Sequence, residues 1–475
     1  MSNFPVIIQG GMGVGVSSWR LARAVSQQGQ LGVISGTALD QVLVRRLQDG
    51  DPGGHMRRGL EHFPVPELAE GICQKYYIPG GKLPGQSYRL LPMHCKDDAR
   101  ELSALCMVSN FVEVFLAREG HHNPVGINYL EKIQIPHLPS IYGAMLAGVR
   151  YVLMGAGIPI KIPAVLDHFV NHDGATYPLH VTGALASDDT NMSFDPREFI
   201  PGNLPPLTRP KFIAIIAADA LAVTLERKAN GRVDGFVVEG PTAGGHNAPP
   251  RGKLQLNELG EPIYGERDQV DLEKIRKLGL PFWLAGGYGT PEKLREAQDN
   301  GAAGVQVGTA FAFSDESDLR KDYKEALLRK AARGTARVFT DPKASPTGFP
   351  FKVAQLEGSL SQQEVYLSRP RICDLGYLRE AYKKADGTID YRCPGEPVSV
   401  YVAKGGKAED TEGRKCICNA LVANIGHPQV RSGKYIENGL VTTGDDLCGI
   451  VRFLRPDEYH YSAADVISHL LSSTT

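Results

Sequence analysis

The sequence predicts a (β/α)8 barrel, the TIM-barrel fold, with insertions at the barrel mouth and a mixed α/β extension at the C-terminal end. Short apolar runs that end in glycine or in a polar residue recur along the first 335 residues. Stretches with helical periodicity separate most of these runs. Runs that are apolar throughout are typical of strands buried on both faces of a parallel sheet, and eight such units can close into a barrel.

The runs and the intervals between them define the predicted elements in order. The runs that we interpret as strands are Pro5–Gly10, Leu31–Gly36, Pro124–Tyr129, Tyr151–Gly155, Phe212–Ala217, Gly235–Glu239, Pro281–Ala285 and Gly304–Gly308. We expect helices at Ser17–Gln28, Asp98–Arg118, Pro136–Ala147, Ile160–Asn171, Ala220–Ala229, Leu272–Leu278 and Thr290–Asn300. The last helix has a recognisable start, because threonine is a favoured N-cap and Pro291 suits the first helical position.

The composition favours a globular protein that binds neither nucleic acid nor membranes. The formal charge of −1 and the scattered basic residues give no electrostatic footprint for DNA, RNA or an anionic bilayer. No apolar run approaches the roughly 18 residues that a membrane span needs, and the N-terminal residues do not resemble a secretory signal. We therefore expect a cytoplasmic protein in which the eight cysteines are reduced thiols.

Two stretches interrupt the repeat, and we interpret both as insertions. Residues 39–91 contain proline and glycine clusters and predict short helices that cover the barrel mouth. Residues 177–210 contain a strand-like segment and a proline-rich return, which predict a hairpin. Further along the chain the repeat is lost. The sequence thus predicts a barrel over residues 1–335 and an extension over residues 336–475, which caps the substrate site or binds a partner.

Glycine-rich turns follow the last two predicted strands. Ala285-Gly286-Gly287 comes after the seventh strand, and Gly308-Thr309 comes at the end of the eighth. Catalytic residues of (β/α)8 barrels lie at the C-terminal ends of the strands, and phosphate groups often bind after strands seven and eight. Small residues there let the main chain approach a ligand closely. The pair of turns therefore favours phosphate binding over two ordinary glycine turns.

His246 and Asn128 are candidate polar side chains at the same edge of the sheet. His246 follows the glycine-rich run Glu239–Gly245, and an imidazole with a pKa near neutrality suits proton transfer. A histidine on the surface of a loop is the alternative. Asn128 ends the third strand, where its amide can contact the edge of a flavin ring or cap a turn. The spacing alone leaves these alternatives open.

Four cysteines cluster in the extension, and they raise the question of a metal site. They are Cys373, Cys393, Cys416 and Cys418. Four thiolates can hold zinc or an iron–sulfur cluster. The spacing lacks C-x-x-C pairs, however, and buried thiols are the default alternative. We therefore assign no metal ligand from the sequence.

Five segments, in this order along the chain, resemble the nitronate monooxygenase (2-nitropropane dioxygenase-like) family. They are Pro5–Gly13, Pro124–Asn128, Glu239–His246, Leu284–Gly287 and Gly304–Thr309. The resemblance covers residues 5–335 and implies a TIM barrel that binds FMN non-covalently. It implies His246 as the catalytic residue beside the flavin, and FMN contacts from Met12, Asn128, Glu239, Gly244, Gly286, Gly287, Gln306, Gly308 and Thr309. In the family's monooxygenases a flavin reduced by an alkyl nitronate reacts with O₂, and the products are a carbonyl compound and nitrite.

The chain also departs from the family pattern at three positions in and directly after the segment Glu239–His246. Glu239 stands where the family has glutamine, Thr242 stands in place of an acidic residue, and Asn247 follows His246. A carboxylate beside a flavin alters its electrostatics unless it is protonated or paired. The long insertion and extension are more similar to FMN-dependent enoyl-acyl-carrier reductases, some of which act in trans on polyketide or polyunsaturated fatty-acid synthases.

These observations lead to four functional hypotheses. The first is an FMN-dependent oxidoreductase that oxidises alkyl nitronates with O₂. The second is an NAD(P)H-dependent reductase of enoyl thioesters, in which His246 protonates the substrate. The third is a phosphate-binding barrel without redox chemistry, such as an isomerase, because phosphate loops recur across TIM barrels. The fourth is that the extension docks an acyl-carrier protein. The physiological substrate, the choice of NADH or NADPH and the oligomeric state have no signature in the sequence.

Overall fold

All eight predicted barrel strands are present in the computed structural model, which describes residues 4–202, 204–431 and 435–472. In chain order the strands are β1 (Ile7–Gln9), β2 (Gly32–Ser35), β3 (Val125–Leu130), β4 (Tyr151–Gly155), β5 (Ala175–Pro178), β6 (Val181–Thr182), β7 (Asn191–Phe194), β8 (Lys211–Ile216), β9 (Gly235–Glu239), β10 (Phe282–Ala285), β11 (Gly304–Val307), β12 (Val338–Asp341), β13 (Phe351–Ala354), β14 (Glu380–Lys383) and β15 (Ile389–Arg392).

The helices alternate with these strands. The α-helices are α1 (Trp19–Gln27), α2 (Leu39–Gln48), α3 (His55–Glu61), α4 (Pro66–Tyr76), α5 (Arg100–Arg118), α6 (His137–Leu146), α7 (Ile162–Val170), α8 (Asp219–Lys228), α9 (Leu272–Lys277), α10 (Pro291–Asp299), α11 (Thr309–Ala312), α12 (Lys321–Ala332), α13 (Gln363–Ser368), α14 (Val398–Ala403), α15 (Cys418–Ala423) and α16 (Ala463–Leu470). Short 3₁₀ helices span Pro196–Glu198, Glu266–Asp268, Ala408–Thr411, Asp445–Leu447 and Gly449–Phe453.

Eight of the strands form one parallel sheet, in the order β1-β11-β10-β9-β8-β4-β3-β2. Alternate side chains point to the inside of the barrel, where Ile8, Leu153, Val237 and Trp283 are completely buried in one cluster. The side chains between them pack against the surrounding helices and are buried as well. Burial on both faces is the reason that these strands are apolar along their whole length.

The barrel closes between β1 and β2 with the help of one side chain, the amide of Gln9. Leu31 N donates a hydrogen bond to Ile7 O at 3.0 Å, and Gln9 N donates to Leu31 O at 2.9 Å. Beyond this point the Gln9 amide replaces the main-chain ladder, because its Oε1 accepts from Val33 N at 3.0 Å and its Nε2 donates to Val33 O at 3.2 Å. The predicted (β/α)8 barrel is therefore confirmed.

The start of α10 shows why the helices begin where the sequence predicts. Thr290 is the N-cap, and its Oγ1 accepts a hydrogen bond from Lys293 N at 3.3 Å. Pro291 occupies the first helical position, where no N–H is needed. The N-cap that the sequence predicts for this helix is confirmed.

Both predicted insertions contain regular structure. Residues 39–91 form α2, α3 and α4, which pack against α5, and α2 is buried along its entire length. The predicted hairpin consists of β5 and β7, which pair antiparallel, and it starts at Ala175, slightly before the predicted insertion. Between them, β6 pairs with β14 of the extension.

The extension is joined to the barrel next to the predicted active-site loop. β12 and β13 form an antiparallel hairpin. Lys352 N donates to Gly245 O at 3.0 Å, and Asn247 N donates to Pro350 O at 2.9 Å, so β13 runs alongside the loop that carries His246. Within the described ranges, none of the helices combines the length and the apolar character that crossing a membrane requires.

Candidate flavin site

A cavity of about 240 Å³ opens at the C-terminal ends of the barrel strands. The main chain around it comes from the turns after β1, β9, β10 and β11. The ten residues that the sequence analysis singles out all line this cavity, although they lie far apart in the chain; they are Met12, Asn128, Glu239, Gly244, His246, Gly286, Gly287, Gln306, Gly308 and Thr309. The structure therefore brings the predicted site residues together, while their individual roles stay predictions.

The turn after β10 requires glycine at both of its predicted cofactor positions. Gly286 and Gly287 have φ angles of +90° and +76°, in the left-handed region that side chains rarely adopt. A Cβ atom on Gly286 would also stand 2.9 Å from Thr242 Oγ1. The main chain at this turn is consequently bare, so its N–H groups can approach a ligand phosphate directly.

Two amide side chains in the cavity wall lack partners for their oxygens. Asn128 Oδ1 and Gln306 Oε1 are buried, and neither has a hydrogen-bond partner among the described residues. The Asn128 Nδ2 group makes a long contact of 3.4 Å with Gly11 O. Buried polar atoms without partners are rare in folded proteins and indicate a missing ligand or water. A flavin ring has donors and acceptors along its edge, so these amides and the bare glycine turn fit FMN.

Glu239 ends β9 and its carboxyl group lines the same cavity. Among the described residues it has neither a salt bridge nor a side-chain hydrogen bond. Desolvation by burial raises the pKa of Glu239 to about 7. A large fraction of the protein therefore carries this group in its neutral form at neutral pH. This state relieves the electrostatic conflict that the sequence raises between a carboxylate at position 239 and a flavin ring.

His246 is half-buried at the cavity wall, with its ring held by the extension. Its Nε2 lies 2.6 Å from Ser345 Oγ, and its ring centroid lies 4.7 Å from that of Phe351. Burial lowers the pKa of His246 to about 4, so the imidazole is neutral at physiological pH. A neutral imidazole can donate one hydrogen bond and accept another, but it does not serve as a readily available cationic acid.

The extension supplies much of the opposite wall of the cavity, which the sequence analysis does not assign. Its lining residues include Phe351, Tyr377, Leu378, Cys418, Leu421, Val422, Val441, Thr442, Thr443, Gly444 and Asp446. Gly444 N donates a hydrogen bond to Thr309 Oγ1 at 2.9 Å, so the predicted phosphate turn touches the extension. The small polar run from Thr442 to Gly444 is the only local signal for this contact, and it resembles an ordinary turn.

Four of the five cysteines of the extension, Cys373, Cys393, Cys416 and Cys418, line a second, small cavity. Cys418 also lines the large one, so the two cavities share a wall. Burial raises the pKa values of all four thiols. In the ranges that the structure covers, the cysteines are free, and no three His, Cys, Asp or Glu side chains are arranged to hold a metal ion.

Residues 206–344 match the family described as nitronate monooxygenase. This segment holds β8 to β11 and the turns with Glu239, His246, Gly286 and Gly308, so the predicted resemblance is confirmed there. A nitronate monooxygenase of Pseudomonas aeruginosa is 37% identical over 117 residues, which are 25% of this chain and 32% of that protein. A (3aS,4S,5R,7aS)-5-hydroxy-7a-methyl-1-oxo-octahydro-1H-indene-4-carboxyl-CoA dehydrogenase of Mycobacterium tuberculosis is 29% identical over 102 residues, or 22% of this chain and 25% of that protein.

These alignments are partial, because the chain spans at most about a third of the length of the curated relatives that it matches. Similar solved structures extend over more of the chain. FabK from Thermotoga maritima is 18% identical with a TM-score of 0.47, covering 98% of this chain and 91% of its own. The enoyl reductase domain of MlnA from Bacillus amyloliquefaciens is 12% identical with a TM-score of 0.44, covering 98% and 95%.

Proposed function

We propose that this protein is an FMN-dependent oxidoreductase of the nitronate monooxygenase type, which oxidises alkyl nitronates with O₂ to a carbonyl compound and nitrite. The observation that carries the proposal is the cavity at the strand ends. Its bare glycine turns and its two unpartnered amide oxygens lie beside the segment that matches the family. When bound, the flavin supplies the two-electron chemistry; the residues of the chain bind and orient it and control protons.

In this proposal the residues divide into three groups by position. The N–H groups of Gly286, Gly287 and Gly308, with the Thr309 hydroxyl, hold the FMN phosphate at the ends of β10 and β11. Asn128 and Gln306 bind the polar edge of the ring through the oxygens that lack other partners. Met12, Gly244 and Glu239 complete the walls. The neutral form of Glu239 then donates a hydrogen bond to the ring rather than placing a charge beside it.

His246 acts in this proposal as a neutral hydrogen-bonding group next to the reacting atoms of the substrate. Ser345 fixes the Nε2 side of the ring, and Phe351 limits its rotation. An alkyl nitronate already lacks the proton on its reacting carbon, so its oxidation needs no cationic acid. A neutral donor that orients the anionic oxygens of the substrate is sufficient.

A second candidate function is the NAD(P)H-dependent reduction of an enoyl thioester in the same cavity. The observation that favours it is the wall from the extension, in which Tyr377, Leu378 and Leu421 present a partly apolar surface that suits an acyl chain. Two of the relatives with partial similarity are named as dehydrogenases of a carboxyl-CoA thioester. In this function residues 1–335 form the FMN barrel, and residues 336–475 cap the acyl group or bind an acyl-carrier protein.

Visible absorption spectroscopy of the purified protein, followed by anaerobic titration, tests these proposals. We expect a flavin spectrum that an alkyl nitronate bleaches and NADPH does not, if the monooxygenase proposal is correct. Bleaching by NADPH, with recovery on addition of crotonyl-CoA, would instead establish the reductase. A protein that stays colourless after FMN is added would contradict both and would favour a phosphate-binding barrel without redox chemistry.

A further inference from the structure

A chain of buried hydrogen bonds leads from the wall of the flavin cavity to the surface. It starts at Tyr377 in the extension, whose hydroxyl donates to Asp40 Oδ1 at 2.5 Å. His94 Nε2 lies 3.0 Å from Asp40 Oδ2, and His94 Nδ1 lies 2.5 Å from Asp98 Oδ2. The side chains of Asp40 and His94 are only 3% and 6% exposed. The Asp98 side chain is 10% exposed and lies between the exposed residues Asp97 and Ala99, so the series of hydrogen bonds ends close to the surface.

The inner end of this hydrogen-bond series lies at another small pocket, the pouch, next to the flavin cavity. Tyr377 lines both the flavin cavity and the pouch, whose volume of about 10 Å³ is enough for about one water molecule. Asp40, Ser140 and His137 also line the pouch. His137 Nε2 is buried and has no hydrogen-bond partner among the described residues. The pouch is therefore a mainly apolar pocket with a few polar side chains, next to the flavin cavity.

The charges along this series of hydrogen bonds keep His94 protonated. Burial opposes a charge on His94, but the hydrogen bonds and negative charges of Asp40 and Asp98 prevail and raise the pKa of His94 to about 9. Burial and the neighbouring Asp40 raise the pKa of Tyr377 well above its usual range. At neutral pH the imidazole is thus cationic and the phenol keeps its proton. Among the described residues, the other titratable or charged groups that face these side chains include Cys95, Cys106, Cys418, Arg45, Arg379 and Tyr391.

His246 cannot fill the same role, because its pKa of about 4 leaves it neutral at physiological pH. Oxidation of a nitronate needs no proton, whereas reduction of an enoyl thioester needs one hydride and one proton for each double bond. A buried proton reserve at the cavity wall therefore favours the second reaction.

We propose that Tyr377 is the proton donor for an enoyl thioester bound in the flavin cavity, and that Asp40, His94 and Asp98 are the positioning residues that resupply it. The inference rests on the second candidate function, the enoyl-thioester reductase, and names the proton donor for that reaction. The O–H bond of Tyr377 breaks and a C–H bond forms at the α-carbon of the thioester, while the hydride at the β-carbon originates from a reduced pyridine nucleotide. Asp40 passes a proton from His94 to the tyrosine oxygen, and His94 regains one from solvent beside Asp98.

The chain offers a matched control in a second Tyr–Asp–His arrangement at the other end of α2. Tyr88 OH donates to Asp49 Oδ2 at 2.7 Å, and His427 Nδ1 lies 2.7 Å from the same oxygen. Burial dominates here and lowers the pKa of His427, which has one carboxylate partner in place of two. Tyr88 is not among the residues that line the flavin cavity. The substitution Tyr88→Phe therefore removes an equivalent hydroxyl group and leaves Tyr377 unchanged.

The test compares the flavoproteins Tyr377→Phe and Tyr88→Phe after anaerobic photoreduction. We expect crotonyl-CoA to reoxidise the flavin about 100-fold more slowly in Tyr377→Phe than in the wild type, and within about threefold of it in Tyr88→Phe. Reoxidation by O₂ should be equal in all three proteins. Equal rates with crotonyl-CoA in the two variants would overturn the role of Tyr377. If the wild type itself carries flavin but does not react with crotonyl-CoA, the assigned substrate class fails; if it carries no flavin, the proposed function fails.

A pH measurement separates the relay from a purely structural role. Asp98→Asn removes one of the two carboxylates, so the pKa of His94 should fall. The alkaline limb of the crotonyl-CoA rate, expected near pH 9 in the wild type, should move to lower pH in this variant. The NMR shifts of the His94 ring should titrate at the same pH as the rate in each protein. If the alkaline limb of the rate profile does not shift together with the pKa of His94, proton transfer from His94 through Asp40 to Tyr377 is contradicted.

Discussion

The main chain of Gly244 lies directly against the main chain of Gly444, and a Cβ atom on Gly244 would stand 2.7 Å from Gly444 N. Gly244 belongs to the loop after β9, and Gly444 belongs to the extension. The contact lets the extension reach Thr309 Oγ1, to which Gly444 N donates at 2.9 Å. The two glycines thus allow a barrel loop and the extension to share one wall of the cavity.

Replacing Gly444 with alanine should loosen this wall. The new Cβ atom would lie 2.9 Å from Thr242 O and 2.9 Å from Thr309 Oγ1, and overpacking of this kind costs about 1–3 kcal/mol. We expect a lower Tm and weaker retention of FMN on dilution. Gly265→Ala is the control, because a Cβ atom there meets nothing within 4 Å. Equal Tm and FMN retention in the two variants would contradict the contact.

Glu239→Gln should change how stability depends on pH. The folded-state pKa of Glu239 is raised from 4.5 to about 7, so the wild type loses stability as the pH rises from about 4.5 to about 7, and the loss then stays constant. Glutamine cannot ionise and avoids this loss, which is on the order of 2–3 kcal/mol. The Tm of Glu239→Gln relative to the wild type should therefore be higher at pH 8 than at pH 5. Glu258→Gln, at an exposed position, should show the same Tm difference at both values.

His246→Ala should lower turnover by about 10²–10⁴-fold while the protein keeps its bound flavin, if the ring contacts the substrate as proposed. The pKa of His246 is about 4, so titration of this residue should produce no step in the wild-type rate near pH 6.5. The pH profile of His246→Gln should therefore have the same shape in this range. Steady-state kinetics between pH 5 and pH 8 would check both expectations. His168→Ala, an exposed histidine in the last turn of α7, should leave the rate unchanged.

Arg369 and Glu437 form a salt bridge of 2.5 Å inside the extension, with both side chains 0% exposed. Arg369→Met removes the ion-pair partner of the buried Glu437, whose pKa burial already raises, and leaves only the positive charges of Arg431 and Arg45 nearby. Removing one partner of a buried pair costs about 3–5 kcal/mol in comparable cases. We expect a large fall in Tm for this single variant. The double variant Arg369→Met with Glu437→Leu removes both charges and should recover much of the loss. A double variant that is less stable than Arg369→Met would contradict the prediction and would show that the charged pair itself contributes to stability.

The barrel and the positions of its site residues follow from local patterns. Strands such as β4 and β9 are buried on both faces, so the sequence records them as uninterrupted apolar runs. Gly286 and Gly287 are visible because the turn needs positive φ angles that other residues avoid. The closure of the barrel through Gln9 has no such signal. The sequence does not show that the Gln9 side chain bonds to the main chain of Val33 on β2, because a glutamine in an apolar strand can have other roles.

The wall from the extension could not be predicted from the sequence for a different reason. Tyr377 and Gly444 reach the cavity through tertiary contacts with residues hundreds of positions away, and neither lies in a periodic segment. The Tyr377–Asp40 contact joins two parts of the chain that the sequence analysis treats as an insertion and an extension. Long-range pairings of this kind leave no trace in composition or spacing.

The split origin of the cavity wall also fixes an order of events during biosynthesis. The ribosome completes every barrel strand before it makes residues 441–446, yet those residues form part of the cavity. A barrel that folds before these residues are made has its glycine turns in place, but its cavity lacks the wall that residues 441–446 supply. In the flavoprotein that we propose, FMN would therefore bind tightly only after the extension has docked on the barrel.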